Sequence, residues 1–183
     1  IWMAHSSRIT VKMSQACALR DPQDSLRNAR KGMIAFVSAY NPIKNQQFRD
    51  LPQAEKEAKM EEFHQAARRE DYSALDLEKS NLEPLIKAVS AHQSILQHCW
   101  LIATPGERGS HLFVPALVKY LREMKGLDRC NFHYGEQYQV SVDSRSETEV
   151  VDKTRKLVET IFSGAHGEAI KLEDNDIVAD ITS

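Results

Sequence analysis

The sequence predicts an α/β fold, a doubly wound and mainly parallel sheet with flanking helices. Three observations carry that expectation. The runs MIAFV (33–37) and CWLIAT (99–104) are apolar without alternation, the pattern of strands covered on both faces. Segments of helical period stand between the strand-like runs. Turn-forming residues close the runs, as in SAYNP (38–42) and TPGERGS (104–110).

Taken in order, MIAFV is the first strand of a domain expected over residues 32–183. Residues 53–71, QAEKEAKMEEFHQAARRED, are rich in Ala, Glu, Lys and Arg and read as an exposed helix. NLEPLIKAVSAHQSILQ (81–97) sets Leu82, Leu85, Ile86, Val89 and Leu96 at helical spacing, with Pro84 where a first turn tolerates it. CWLIAT is the second strand, and HLFVPALVKYLREMKG (111–126) is a helix closed by Gly126. YQVSVDS (138–144) alternates and reads as the third strand. Residues 145–165 read as a helix with Ser146 and Glu149 at capping-box spacing, Val150, Val151, Leu157, Val158 and Ile161 as its apolar stripe, and Gly164 at its end. DIVADIT (176–182) supplies the fourth strand. Right-handed crossovers then predict the strand order 3-2-1-4, a Rossmann-like arrangement. The last strand falls beside the first, and the sheet is expected to continue beyond Ser183. No internal repeat or low-complexity tract interrupts this order.

Composition narrows the classes. A chain of 183 residues, 42% hydrophobic, can bury one core. Its net charge of −2 lacks the basic excess of polynucleotide binders, so no polynucleotide binding is expected. Cys17, Cys99 and Cys130 are odd in number and form no CxxC pair, which excludes a disulfide framework and a zinc ribbon. A reducing compartment follows. The histidines form no HExxH or paired ligand set, so neither a metal nor another cofactor is expected. No run of about twenty apolar residues is present, hence no complete transmembrane helix. Residues 1–31 carry Arg8, Lys12, Arg20, Arg27, Arg30 and Lys31 against Asp21 and Asp24, a balance of +4 behind an Ile-Trp-Met start. Two readings fit this stretch: a polar linker, or a cytoplasmic juxtamembrane segment anchored through residues upstream of Ile1.

In a sheet of this order, ligands bind beyond the carboxyl ends of the strands, where the order reverses between strands one and four. Ser38, Ala39, Tyr40, Asn41 and Pro42 are expected on one side of that crevice, and Asp180, Thr182 and Ser183 on the other. Small hydroxyls, amides and strand-end N–H groups suit phosphate and base edges. SAYNP is equally a good turn, and Asp180 fits either a ligand contact or a bond to neighbouring backbone N–H groups. In the second turn, Thr104 leads into a segment where Gly106 and Gly109 allow a tight bend. Ser110 there reads as a helix cap, and Arg108 as a partner for phosphate. A plain strand-to-helix turn explains the same residues. His166 and Glu168, in GAHGE, read chiefly as helix-terminating turn chemistry, and His92 and His98 as surface or core histidines.

At DIVADITS, preceded by the strand and turn MIAFVSAYNP, the chain resembles the CARF domains of type III CRISPR effectors. In that family the fourth strand ends in an acidic or Asn residue, a hydrophobic residue, and then Thr-Gly-Gly-Thr-Lys. Asp180, Ile181 and Thr182 match that pattern, Ser183 replaces the first Gly, and the remainder is absent. The resemblance implies a homodimeric sensor of a cyclic oligoadenylate ligand, cyclic tetra-adenylate being the first choice, held across a two-fold axis. By position it assigns ligand contacts to Ser38, Ala39, Tyr40, Asn41, Thr182 and Ser183. CARF domains are joined to effectors, yet no R-x-x-x-x-H stretch and no restriction-like Asp/Glu/Lys set is present. A membrane segment ahead of Ile1 would complete a membrane-associated CARF effector on the cytoplasmic face of the bacterial inner membrane. Otherwise the expected place is the cytoplasm. Two further functions compete: a ring nuclease that degrades the messenger, and an unrelated nucleotide or sugar-phosphate enzyme on the same kind of sheet.

Overall fold

The computed structural model of the chain describes residues 32–141, 147–164 and 177–180. They form a four-stranded sheet of β1 (Gly32–Phe36), β2 (His98–Ile102), β3 (Asn131–His133) and β4 (Ile177–Asp180), in the order β3-β2-β1-β4. Every pairing is parallel, with Met33 opposite Cys99 and Val178, and Ala35 opposite Leu101 and Asp180. The strand order and the adjacency of β1 to β4 are those the sequence predicts.

The continuous apolar runs are explained by two cores. Met33, Ala35 and Val37 from β1 and Cys99, Leu101 and Ala103 from β2 enter one cluster with helices α2 (Gln53–Arg68), α3 (Glu83–Ala91) and α4 (Val114–Lys125). Their neighbours Ile34, Trp100 and Ile102 enter a second cluster on the opposite face, covered by α5 (Glu147–Ser163). Alternate residues thus point to different cores, and both cores are apolar, so no alternation survives in the sequence. A short helix α1 (Gln46–Arg49), capped by Asn45 Oδ1 accepting from Phe48 N–H, precedes α2.

Four expectations are corrected. The third strand is Asn131–His133, not 138–144. Gly135, at φ 124°, turns the chain out of the ladder into a 3₁₀ turn at Glu136–Tyr138. The chain returns only as a bridge from Gln139 to Ala103. The alternation in YQV is real, because Tyr138 and Val140 are both buried in the second core, but it belongs to an interrupted edge. The helix at 53–68 is not exposed throughout: Phe63, His64, Ala66 and Ala67 are buried. In α5, Val151 lies outside the stripe at 47% exposure, and Phe162 packs on the core with Val150, Leu157, Val158 and Ile161. The third helix is also shorter than 81–97, ending at Ala91, although its predicted apolar residues are all buried.

Gly126 closes α4 as expected, in the left-handed conformation at φ 68°, ψ 29°. Residues 1–31, Ser146, His166, Glu168, Thr182 and Ser183 lie outside the described residues, and so do the expectations that fall on them. Among the described residues, no helix is long and apolar enough to cross a membrane.

Candidate functional site

A cavity of about 430 Å³ lies beside the carboxyl ends of β1 and β2. The loop after β1 contributes Ala39, Tyr40 and Asn41, the turn after β2 contributes Arg108, and Phe113 forms part of its lining. Helix α2 closes the remaining side with Lys56, Glu61 and His64 among others. The structure therefore brings four of the predicted site residues to one cavity, against helix α2.

The loop after β1 is held from a distance. Asn81 Nδ2 donates to Ser38 Oγ at 3.0 Å and to the Ala39 carbonyl at 2.7 Å. Asn81 Oδ1 accepts from Asn41 N–H at 2.7 Å, and Asn81 N–H donates to the Asn41 carbonyl at 2.9 Å. Ser38 is thereby spent on shaping the loop. The side chain of Asn41 is exposed and makes no hydrogen bond among the described residues, so its amide is available to the cavity.

Tyr40 is the floor. It is buried, stacks on Phe113 at 5.2 Å between centroids and meets Phe63 edge-on at 5.3 Å. Its hydroxyl accepts from Asp76 N–H at 3.1 Å. Burial is the main cause pushing its pKa up to about 12; the Asp76 carboxylate adds to the rise, and the Asp76 N–H bond opposes it.

The turn after β2 is held by itself. Thr104 N–H donates to Ser110 Oγ at 2.8 Å, Ser110 N–H donates to Thr104 Oγ1 at 3.0 Å, and the two hydroxyls lie 3.2 Å apart. Ser110 is fully buried. It does not cap the following helix, as the sequence suggests: Gly109 stands at the head of the 3₁₀ turn Ser110–Phe113, without a side-chain cap. The clasp fits because Gly109 has no Cβ; one built there would sit 2.3 Å from the Thr104 carbonyl oxygen. Arg108, at the exposed apex of this turn, has no ion pair among the described residues. A fixed turn carrying an unpaired guanidinium suits a phosphate.

On α2, Glu61 Oε2 faces His64 Nδ1 at 3.7 Å, and Glu61 Oε1 faces Arg68 at 3.7 Å. The hydrogen bond from Gln65, then the nearby Arg68 and His64, hold the Glu61 carboxyl below its ordinary range. Sequence reasoning missed His64, Lys56 and Asn81. A signal for His64 was present: Met60, Phe63, His64 and Ala67 recur at i, i+3, i+4 and i+7, an inward stripe under a charged exterior. Asn81 gives no local signal, because its partners lie some forty residues upstream.

On the β4 side, Asp180 pairs through its backbone with Ala35, which sets the fourth strand's end next to the first. Among the described residues, no group of His, Cys, Asp and Glu is placed to hold a metal ion. No protein family, no curated protein and no solved structure matches this chain. The fold and the site define the class at a coarse level: a parallel α/β domain, helices on both faces of its sheet, with a cavity of mixed polar and apolar lining beside the ends of β1 and β2.

Proposed function

We propose that this is a Rossmann-like sensor domain of the CARF kind, binding a cyclic oligoadenylate at a homodimer interface. The carrying observation is the cavity beside the carboxyl ends of β1 and β2, in which the loop after β1 and Arg108 of the second turn meet. Asn41 and Arg108 have side chains that satisfy no internal partner among the described residues, one an amide and one a cation. An adenylate offers a base edge to the first and a phosphate to the second. A two-fold dimer would present both groups twice, to a ligand that repeats the same two features. The signal then passes to an effector, with membrane anchoring ahead of Ile1 as the form that suits the basic stretch at 1–31.

Calorimetry against cyclic tri-, tetra- and hexa-adenylate tests this reading, with the mass of the complex measured in parallel. The expected result is one ring per two chains, tightest for cyclic tetra-adenylate. No heat with any ring overturns the sensor and favours an unrelated nucleotide or sugar-phosphate enzyme. The anchoring arm is tested on the full reading frame: a soluble nuclease domain ahead of Ile1 overturns it, and an apolar stretch of about twenty residues supports it.

A further inference from the structure

Pro42 and Phe63 are buried, and none of residues 43–62 between them is. The stretch carries α1 and most of α2, whose buried residues, Phe63, His64, Ala66 and Ala67, all lie towards its other end. Phe48 and Met60 rest only partly on the core. Cavities of about 430 Å³ flank this part of α2 on two sides. One is the cavity already described, walled here by Gln53, Lys56, Glu57 and Met60. The other is walled by Leu51, Glu55, Ala58 and Glu62. Packed helices interdigitate with their neighbours, so a helix end with open space on two faces has room to swing.

The bonds of the stretch fit such a motion. Gln53 Nε2 donates to Glu57 Oε1 at 2.9 Å and Lys59 pairs with Glu62 at 2.5 Å, contacts that travel with the helix and keep its form. Its ties to the rest of the domain sit near the ends. Lys44 N–H donates to the Lys79 carbonyl at 2.9 Å, and the Lys44 ammonium pairs with Glu83. At the other end Phe63 meets Tyr40 edge-on. A segment with few buried contacts belongs to the low-stability end of a fold, from which lids are drawn.

We propose that residues 43–62 form a strap that closes over the cavity when a cyclic oligoadenylate enters, pivoting on the buried end of α2. The proposal rests on the cyclic oligoadenylate reading and concerns how the occupied site differs from the empty one. Lys56 on the strap and Arg108 on the turn after β2 line the same cavity, and neither has an ion pair among the described residues. In the empty cavity their like charges oppose closure, and a phosphate between them attracts both. The ligand thus binds the closed arrangement better than the open one, the differential affinity that any ligand-driven change requires. Closure also carries Met60 further onto the core, which adds apolar burial to the closed state.

Hydrogen exchange of the full chain, resolved by residue and run with and without cyclic tetra-adenylate, tests the strap while calorimetry records binding. The informative amides are those of Ala58, Lys59 and Glu62, which line the second cavity and not the ligand's, so direct contact does not protect them. In the free chain they are expected to exchange at least tenfold faster than those of Ala66 and Ala67, and the ring should slow them tenfold or more. Lys56→Gln is expected to bind the ring about tenfold more weakly and to lose most of that slowing. Equal exchange along α2 in the free chain overturns the strap. A ring that binds without changing exchange at Ala58, Lys59 and Glu62 overturns it too and leaves the sensor standing. Full protection in ring-bound Lys56→Gln overturns the cause assigned to closure. Absence of binding with any ring takes strap and sensor down together.

Discussion

The two loops that wall the cavity end neighbouring parallel strands and are held by opposite means. The turn after β2 ties itself: Thr104 and Ser110, six residues apart, exchange backbone and hydroxyl bonds across a glycine that leaves them room. The loop after β1 is tied by Asn81, which bonds Ser38, Ala39 and Asn41 from the head of α3. A self-tied turn places its apex, Arg108, from local chemistry alone. A remotely tied loop places Asn41 only once α3 has docked on the sheet. The first should keep its shape in any variant that folds, and the second should register damage done to α3.

The strongest way to break the self-tied turn is Gly109→Ala. The added Cβ would meet the backbone oxygens of Thr104 and Pro105 at 2.3 and 2.5 Å, and neither can give way without moving the turn. Overpacking of that kind is expected to cost about 3 kcal/mol, read in chemical denaturation. Arg108 moves with the turn, so binding of cyclic tetra-adenylate should fall in the folded fraction too. An unchanged denaturation midpoint would show the turn to be looser than its bonds suggest. For the remotely tied loop the matching change is Asn81→Ala. It removes three side-chain hydrogen bonds at once and is expected to cost about 2 kcal/mol, with ligand binding weakened through the loop Asn81 holds, although Asn81 itself does not line the cavity. Ser110→Ala is milder. It strands Thr104 N–H in a part-buried place, for about 1.5 kcal/mol, while the Ser110 N–H bond to Thr104 stays.

The same contrast explains what the sequence made legible. The β1 and β2 runs could be read because both faces of each strand are buried, and the strand order followed from the alternation of elements. The turn at 104–110 could be read as a turn, since Gly106 and Gly109 are local signals, but not as a clasp. The identity of β3 could not be read. NFH is short and unremarkable, whereas YQVSVDS alternates strongly; the ladder is decided by Gly135, which throws the chain off the edge between them. The inward stripe of α2 was masked by its Glu and Lys residues, and the role of Asn81 by distance along the chain. What depends on neighbours in sequence was visible. What depends on docking was not.

Tyr40 offers a pH test of the floor beneath both loops. Its folded pKa is raised from 10.0 to about 12, chiefly by burial. A raised folded value in a group that ionises to an anion means that the unfolded chain loses this proton first. The contribution to stability is therefore whole below pH 10 and is lost as the pH rises towards 12. Melting temperature should fall across that window, and Tyr40→Phe should flatten part of the fall. The burial-raised thiol of Cys130 titrates in the same range and accounts for a share that Tyr40→Phe leaves in place. A melting temperature equally steep in Tyr40→Phe would mean that the phenol is not buried as described.

Asn41→Ala is the smallest perturbation and the sharpest for separating shape from contact. The loop is held through the Asn41 backbone: its N–H donates to Asn81 Oδ1 and its carbonyl accepts from Asn81 and Ile43 N–H. All of these survive truncation of the side chain. Stability should therefore change by less than about 0.5 kcal/mol, as for an ordinary exposed position. Binding of cyclic tetra-adenylate should still weaken by about fivefold, the loss of one ordinary hydrogen bond. Asn81→Ala then serves as the contrast, since it lowers stability and affinity together. If Asn41→Ala instead lowers the melting temperature by several degrees and leaves affinity intact, its amide holds the turn, and the ligand contact on this side of the cavity belongs to backbone groups alone.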